Sequence, residues 1–367
     1  MWIWQNAEWQ QFTWDKELLE GIESDFADVV ADLDQYISRT NNNVHLRIDA
    51  LVRETFSSNK IEGIILDTES IRGSFLTKMG LTTEDNTIEV RSRLASEALY
   101  EAKGYRGIYT TEFLREIHAL YMQPWPEKHP GQFRTPDDGE MCIRKGPRDK
   151  DVTYEAVPSD RVAAEMDSFC NAMNSCEKGS VVRAGLAHLH FVIIHPFLDG
   201  NGRLARILAE RELDSDNSLV LSLSDTIAAS QSQYYRVLQD TCTGTQDITQ
   251  WLSWFGKIAV SAAEHSLEKA KTTVRRGLIF AHAREANCTE RECRILDKVT
   301  RGFEGNLTLE KIRKLGGYDS LEATAEAARH LVSVGILEEY SGNNKIIYEI
   351  AMGDEYVKEE EDTTPKL

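Results

Sequence analysis

The segment HPFLDGNGRLAR, from His195 to Arg206, constrains the fold of this chain more than any other part of the sequence. It follows an apolar stretch with helical spacing, which Pro196 ends, and Gly200 and Gly202 free the backbone for a tight loop before a new helix. A glycine-containing loop that leads into a helix presents unpaired backbone N–H groups to an anion. The sequence therefore predicts two helices joined by a loop that binds an anion.

Four side chains of this segment indicate the chemistry that the loop serves. Arg203 and Arg206 lie in the first turn of the second helix, where cations oppose the helix dipole, so we expect them to serve a ligand. Asp199 offers a hard oxygen ligand to a divalent cation beside phosphates, and His195 can accept a proton near neutral pH. Each residue alone has an ordinary explanation, such as a histidine that ends a helix or arginines on a solvated face. Their combination within twelve residues indicates transfer chemistry on a nucleotide polyphosphate.

The same stretch resembles the signature of the Fic family, HPFxDGNGRxxR, at every specified position. The resemblance implies a mostly α protein, with a Fic-type helical bundle and a β-hairpin flap. It also implies a protein adenylyltransferase, which transfers AMP from ATP to a Ser, Thr or Tyr hydroxyl of a target protein, or of the enzyme itself, and releases pyrophosphate.

The resemblance also implies a role for each residue of the motif. His195 would deprotonate the target hydroxyl, Asp199 would hold Mg²⁺ between the α- and β-phosphates of ATP, and Phe197 would anchor the loop in the core. Backbone amides would form an anion hole, two arginines would hold the β- and γ-phosphates, and an aromatic pair would lie near the adenosine. These nucleotide-binding residues are Gly200, Asn201 and Gly202 for the amides, Arg203 and Arg206 for the phosphates, and Tyr234 and Tyr235 for the adenosine.

A second match lies upstream, in the segment SSNKIEG that runs from Ser57 to Gly63. Ser58, Glu62 and Gly63 fit the family's inhibitory-helix pattern, (S/T)xxxE(G/N). A glutamate paired with Arg206 would remove the γ-phosphate clamp, so that ATP binds misaligned for attack. An inhibitory segment upstream of the catalytic core is the class II arrangement of this family. Taken without the downstream motif, the same pattern also fits a capped helix end.

Two other kinds of function stay open from the sequence. Fic relatives include phosphotransferases and enzymes that remove AMP (deAMPylases), and in the latter Glu62 would position a water. The intact GNGR loop and the second arginine favour a site that binds ATP for AMP transfer over phosphotransfer and over AMP removal. A non-catalytic nucleotide-sensing regulator that acts through a winged helix is disfavoured, because binding alone needs no base at His195.

The first 95 residues predict a mostly helical N-terminal region that carries the inhibitory helix. Four of the seven tryptophans fall within the first fourteen residues, and the alternation in Trp2-Ile3-Trp4 predicts a short strand. The aromatic side chains are expected to pack onto a helical domain. Apolar residues recur at helical spacing over 15–40, and a second helix is expected over 44–57. The Trp-rich start resembles the N-terminal domain that often precedes bacterial Fic modules.

Residues 96–267 are expected to form the Fic catalytic domain. Within it, 130–158 combines turn residues with short alternating runs and predicts a β-hairpin. The borders of this segment resemble those of the family's flap. In the family, an extended segment of the target protein pairs with the edge of this hairpin. The tip of the hairpin is basic. It would attract an acidic target, or it is an ordinary solvated loop. Its basic residues are Arg144, Lys145, Arg148 and Lys150.

Residues 268–353 predict a linker and then a winged-helix domain, because three short helices precede strands at 336–340 and 345–350. The candidate recognition helix makes DNA binding doubtful, so a protein-interaction or dimer-positioning role is preferred, and the habit of the family favours a homodimer. Its acidic residues, Asp319, Glu322 and Glu326, stand against Arg329 alone. Residues 354–367 form an acidic tail with few apolar groups, which is expected to be disordered.

The composition argues against several other classes of protein. Acidic residues outnumber basic ones, 60 to 42, and the net charge of −18 argues against a chain built to coat nucleic acid or anionic lipid. No stretch approaches the ~20 apolar residues of a membrane helix, so no membrane partner is expected. The start of the chain lacks the features of a signal peptide, and the six cysteines include no CxxC pair. Scattered thiols in such a chain predict a cytoplasmic protein.

Overall fold

A computed structural model of the protein describes residues 1–38, 43–83, 88–144, 152–175, 180–214, 221–301, 303, 305–342 and 345–351. It is mostly helical, so the predicted fold class is confirmed. The α-helices of this part of the chain are α1 (Lys16–Ser38), α2 (Asn43–Ile61), α3 (Thr68–Lys78), α4 (Val90–Gly104), α5 (Thr111–Met122), α6 (Val162–Ser175), α7 (Val181–Ile194), α8 (Asn201–Leu213), α9 (Leu223–Ala229), α10 (Gln231–Cys242), α11 (Thr249–Glu285), α12 (Glu290–Thr300), α13 (Leu309–Gly316) and α14 (Leu321–Ser333). The strands are β1 (Cys142–Arg144), β2 (Val152–Glu155), β3 (Leu307–Thr308), β4 (Leu337–Gly342) and β5 (Lys345–Ile350). Among these helices none is both long enough and apolar enough to cross a bilayer.

The chain divides into two compact units, Met1–Leu267 and Glu268–Leu367. The boundary falls inside α11, which runs on to Glu285 where the sequence analysis expected a linker. The helix continues because residues 268–276 contain neither glycine nor proline, and Lys271 pairs with Glu268 at 2.9 Å. The expected boundary at residue 95 stays a prediction, and the acidic tail lies outside the described residues.

The first unit is built around α7 and α8, which pack against each other. α7 is apolar on nearly every face, and Leu189, Phe191 and Ile193 are fully buried within it. Such a helix needs neighbours on all sides. α1 contacts α7, and α2 and α4 contact α8. The loop between α7 and α8 therefore begins and ends inside the core, which fixes its position.

The N-terminal tryptophans lie against this unit. Ile3–Gln5 forms a 3-10 helix, so the strand predicted for Trp2-Ile3-Trp4 is wrong. The Gln5 side chain accepts a hydrogen bond from the backbone N–H of Trp2 at 2.8 Å and closes a turn that the short alternation could not reveal. Trp4 and Trp9 are buried, which confirms the prediction that they pack onto a helical domain.

β1 and β2 pair antiparallel as the predicted hairpin. The Tyr154 hydroxyl donates to the carbonyl of Ile193 at 2.7 Å, which ties β2 to the end of α7. The indole N–H of Trp4 donates to the carbonyl of Glu155 at 2.8 Å, so the N-terminal segment lies against β2. The basic tip predicted at 144–150 lies outside the residues whose side chains are described.

The described part of the second unit combines the last turns of α11 and three short helices with a three-stranded antiparallel sheet. The strand order is β3-β5-β4, and Leu307 lies opposite Tyr348 in the β3–β5 pair. Ile295 of α12, Ile312 of α13 and Leu331 of α14 share one apolar core. The helices and the β4–β5 pair follow the predicted order, whereas β3 is too short to give a sequence pattern. The winged-helix assignment and its role stay predictions.

Candidate active site

The loop between α7 and α8 turns sharply at two positions. His195 directly follows α7 with a φ of 52°, in the left-handed region, and its N–H donates to the Phe191 carbonyl at 2.9 Å. Gly200 has a φ of 79°, and a Cβ on it would lie 2.9 Å from Met122 Sδ. Glycine suits this position both for its backbone conformation and for its lack of a side chain. The two turns reverse the chain between the helices.

The side chain of Asn201 closes the loop. It accepts a hydrogen bond from the Phe197 N–H at 3.0 Å and donates to the Phe197 carbonyl at 2.8 Å. The Phe197 ring is fully buried and stacks on His118 with centroids 3.6 Å apart, which confirms that it anchors the loop in the core. Asn201 thus shapes the loop through its side chain, and its role through the backbone amide stays a prediction.

His118 is a site residue that the sequence analysis missed. Its Nδ1 accepts from the Gly131 N–H at 2.9 Å, so Nε2 carries the ring proton and donates to the Asp199 carbonyl at 3.0 Å. Burial lowers the pKa of His118 to about 4, which keeps this neutral form near pH 7. The sequence spacing does not indicate this role, because His118 lies 81 residues before Asp199 on an ordinary apolar helix face.

Arg134 holds the backbone on which His195 is placed. Its Nε donates to the His195 carbonyl at 2.7 Å, and its Nη2 donates to the Ile194 carbonyl at 3.1 Å. Burial, helped by the charge of Arg134, lowers the pKa of His195 to about 4. The imidazole is therefore neutral at pH 7, with Nδ1 buried. In this form it can accept a proton.

Asp199 offers an oxygen to a cation beside the loop. Its Oδ1 accepts from the Gly200 N–H at 2.6 Å and from Arg203 Nη2 at 2.8 Å, and its side chain is 45% exposed. Neither bond uses Oδ2. A half-exposed carboxylate with one oxygen outside these bonds fits Mg²⁺, which takes few carboxylates and keeps several waters. The Gly200 N–H, predicted as part of the anion hole, bonds to Asp199 here.

Arg203 lies between two aromatic rings. Its Cζ is 5.4 Å from the Tyr121 ring centroid and 5.6 Å from that of Trp125, distances at which a ring attracts a cation. The side chain is almost fully buried, yet Nε and Nη1 have no hydrogen-bond partner among the described residues. Buried donors are normally satisfied, so these two suit an anionic ligand. Tyr121 and Trp125 are further site residues that the sequence analysis missed.

Arg206 is held by the end of α2. It is fully buried, its Nε donates to Ser58 Oγ at 2.9 Å, and its Nη2 donates to the Ser58 carbonyl and to Glu62 Oε1, both at 2.8 Å. Burial opposes its charge, but the Glu62 carboxylate outweighs this, so the pKa of Arg206 is raised. A Cβ on Gly202 would lie 2.7 Å from Glu62 Oε1. The carboxylate therefore lies against the first turn of α8, where an anion is favoured.

Helix α2 ends in a turn that suits glycine. Gly63 has a φ of 77°, its N–H donates to the Lys60 carbonyl, and the Ile64 N–H donates to the Asn59 carbonyl, both at 3.0 Å. This pair of bonds is the Schellman motif. The helix therefore extends four residues beyond its predicted end at 57. The segment is a capped helix end, and it also places a carboxylate on Arg206.

Two more contacts hold this end of α2. The Tyr121 hydroxyl donates to Asn59 Oδ1 at 2.7 Å, and Gln231 Nε2 donates to the Ile61 carbonyl at 2.8 Å. Because Tyr121 also lies against Arg203, a single ring connects α2 to that arginine.

The predicted aromatic pair divides between the core and the surface. Tyr234 is buried, and its hydroxyl lies 3.1 Å from His188 Nε2 in a hydrogen bond. Burial raises the pKa of Tyr234, against the effect of neighbouring Arg206. Tyr235 is 44% exposed, with its ring centroid 5.0 Å from that of Tyr234. The adenosine role of both stays a prediction.

Comparison with known proteins identifies the domain that contains the segment from His195 to Arg206. The Fic/DOC family model matches residues 108–213, and the model described as Domain of unknown function (DUF4172) matches residues 2–81. Protein adenylyltransferase fic-1 of Caenorhabditis briggsae is 25% identical over 136 residues, which are 37% of this chain and 25% of that protein. The alignment therefore spans about a quarter of that relative's length.

Two solved structures share the fold. A Fic family protein from Desulfovibrio desulfuricans G20 has a TM-score of 0.52 at 20% identity, over 89% of this chain and 95% of that chain. A Fic domain containing signaling protein from Bacteroides thetaiotaomicron VPI-5482 has a TM-score of 0.52 at 18% identity, over 67% of this chain and 98% of that chain. Residues 108–213 therefore match the Fic/DOC family, and the fold of the chain is similar to that of solved Fic proteins.

Proposed function

We propose that this protein is a protein adenylyltransferase that transfers AMP from ATP to a Ser, Thr or Tyr hydroxyl of a target protein or of itself. We further propose that Glu62 holds it inactive by pairing with Arg206. The name of the Caenorhabditis briggsae relative supports AMP transfer as the reaction.

One observation carries the proposal. Arg203 Nε and Nη1 and Arg206 Nη1 are buried guanidinium nitrogens without hydrogen-bond partners among the described residues, in the first turns of α8. Two cations at a helix N-terminus suit the phosphates of ATP, which accept charge-assisted hydrogen bonds from arginine. Gly202 leaves space beside them, because it has no side chain.

His195 supplies the base for the transfer step. Its neutral imidazole accepts the proton of the target hydroxyl as the hydroxyl oxygen bonds to the α-phosphorus of ATP. The bond from the α-phosphorus to the oxygen that bridges it to the β-phosphate breaks, and pyrophosphate leaves. Asp199 would hold Mg²⁺, which supplies positive charge to the phosphates when bound.

Glu62 keeps this step from occurring. While its carboxylate occupies Arg206, the γ-phosphate lacks that clamp and the α-phosphorus is not aligned with the attacking oxygen. Arg206 is fully buried whereas the Glu62 side chain is 31% exposed, so Glu62 is the partner that can leave for water. Release of the end of α2 would therefore switch the enzyme on.

The target segment is proposed to pair with β1. The Glu155 carbonyl of β2 already accepts from Trp4, so β1 is the strand that offers an edge. Addition of a strand at such an edge is a common mode of peptide recognition. It would bring the target hydroxyl near His195, because Tyr154 ties β2 to the end of α7.

Labelling with ATP tests the reaction. Glu62→Gly is incubated with Mg²⁺, a cell extract as the source of targets, and ATP labelled at either the α- or the γ-phosphorus. We expect label from the α position on protein, and none when His195→Ala is added to Glu62→Gly. Label from the γ position that disappears with His195→Ala would indicate phosphotransfer, because kinases of the extract add γ label in either case. Loss of AMP from labelled protein on adding the wild type would indicate AMP removal. Either result, or no label at all, would contradict the proposal.

A further inference from the structure

The second unit brings together three metal-ligating side chains, none of which belongs to the candidate active site. Cys288, Glu292 and His330 each present one ligand atom, and these atoms all lie within 4.8 Å of one another. Cys288 lies just before α12, Glu292 lies in the first turn of α12, and His330 lies on α14, so the cluster connects two helices. We propose that it binds a transition-metal ion, and that Zn²⁺ is the ion it fits best.

The chemistry of the three donors selects the class of metal. A thiol sulfur, an imidazole nitrogen and a carboxylate oxygen are the ligand types that Zn²⁺ takes in proteins. Mg²⁺ and Ca²⁺ bind oxygen ligands, so a site with sulfur and nitrogen donors does not suit them. Three protein ligands leave the fourth tetrahedral position of Zn²⁺ to a water.

The geometry is close to what such an ion requires. Zn²⁺ is bound at about 2.0–2.3 Å, which places its ligand atoms roughly 3.5 Å apart. His330 Nδ1 already lies 2.8 Å from Glu292 Oε1, and the remaining separations do not exceed 4.8 Å. An ion would therefore require these three side chains to rotate slightly.

The carboxylate is oriented by groups that do not themselves bind the ion. Glu292 Oε2 accepts from the Thr289 N–H at 2.7 Å and from Thr289 Oγ1 at 2.8 Å, so Oε1 is the oxygen turned to His330. Hydrogen bonds of this kind to the ligands are typical of protein metal sites. The Cys288 N–H donates to the Ala283 carbonyl at 2.9 Å and fixes the backbone that carries the third donor. The His330 side chain is 36% exposed, which gives an ion access from solvent.

A helix cap with an ion pair would explain Glu292 and His330 but not the thiol beside them. The sequence could not reveal the cluster, because His330 lies 38 residues after Glu292 and Cys288 belongs to no CxxC pair. The fold of the second unit brings the three together, because α12 and α14 both pack against α13.

Metal binding by the full-length protein tests the proposal. Zn²⁺ binding is measured by equilibrium dialysis with Mg²⁺ in excess to occupy oxygen-only sites, and Co²⁺ replaces Zn²⁺ for absorption spectra. We expect one ion per chain and a near-ultraviolet thiolate-to-Co²⁺ band. Cys288→Ser and His330→Gln should each weaken binding about tenfold or more. Cys142→Ser, a partly buried cysteine of the other unit, should change neither binding nor spectrum.

Two results would overturn the site. One is a wild type that shows no thiolate band with Co²⁺, a readout that does not depend on the folding of any variant. The other is Zn²⁺ binding that is equally strong in the wild type, Cys288→Ser and His330→Gln, which would leave only the ion pair and helix cap.

Discussion

Glu62 and Arg206 lie 144 residues apart in the sequence, and their side chains meet at 2.8 Å in the first turns of α8. Arg206 is fully buried, so removing its partner without replacement would leave an uncompensated charge in the core, at a large cost in free energy. An incoming phosphate can replace the carboxylate as that partner. The contacts that hold the end of α2 should therefore set how readily ATP displaces Glu62.

Ser58→Ala should raise AMP transfer. The substitution removes the oxygen that accepts from Arg206 Nε, and a hydrogen bond to a charged group contributes about 1.5–3 kcal/mol, so we expect a rate about tenfold above the wild type. Ser57→Ala is the matched control, because Ser57 is equally buried but donates to Asp225 at 3.1 Å. Equal rates for the two variants in a labelled-ATP assay would refute this prediction.

Tyr121→Phe should also loosen the end of α2 and raise AMP transfer, but by less than Ser58→Ala. The ring that lies against Arg203 is kept, while the hydrogen bond to Asn59 is lost, which is worth about 1 kcal/mol or roughly fivefold in rate. In a Glu62→Gly background the same substitution should change nothing, because inhibition is already gone. A fall in rate in that background would show that Tyr121 acts on ATP through Arg203 instead.

The pH dependence of transfer should show no loss of rate near pH 6.5. Burial lowers the pKa of His195 to about 4, and since the Glu62 carboxylate opposes that shift, Glu62→Gly lowers it further. Protonation of the base abolishes transfer only below that value. We expect kcat/KM of Glu62→Gly to stay level from pH 8 to pH 5, and a half-maximal rate near pH 6.5 would show that the histidine titrates as if exposed.

Acid should destabilise the first unit through its buried histidines. Burial lowers the pKa of His190 from 6.5 to about 3, so between these values the unfolded chain binds a proton that the folded chain does not. Stability therefore falls as the pH drops below 6.5, by about 2 kcal/mol at pH 5 for this residue. The free energy of unfolding in urea is measured at pH 7 and at pH 5. Its decrease between the two should be smaller in His190→Gln than in the wild type by about this amount. An equal loss would mean that His190 is protonated in the folded protein.

The sequence predicted best the features that depend on residues close together in the chain. The loop conformation at Gly200, the burial of Phe197 and the helix after the loop all follow from twelve consecutive residues. The contact of Glu62 with Arg206 was reached only through a family resemblance, because no local rule relates residues so far apart.

The residues that support the site were not predictable from neighbouring residues in the sequence. His118, Arg134 and Tyr121 reach the loop through the packing of α5 and of the segment before the hairpin. In the sequence they look like ordinary members of an apolar helix face or a turn. The strand predicted at Trp2 failed for a related reason, since three residues are too few to separate an alternating strand from a 3-10 turn.

The most direct test of autoinhibition compares the AMP-transfer rates of the wild type, Glu62→Gln and Glu62→Gly under identical ATP and Mg²⁺. Glu62→Gln keeps the size of the side chain but removes its charge, so it should be intermediate, and Glu62→Gly should exceed the wild type at least about tenfold. Adding Arg206→Ala to Glu62→Gly should remove the gain, because the γ-phosphate then has no clamp. Equal rates for the wild type and Glu62→Gly would contradict the claim that this carboxylate holds the enzyme inactive.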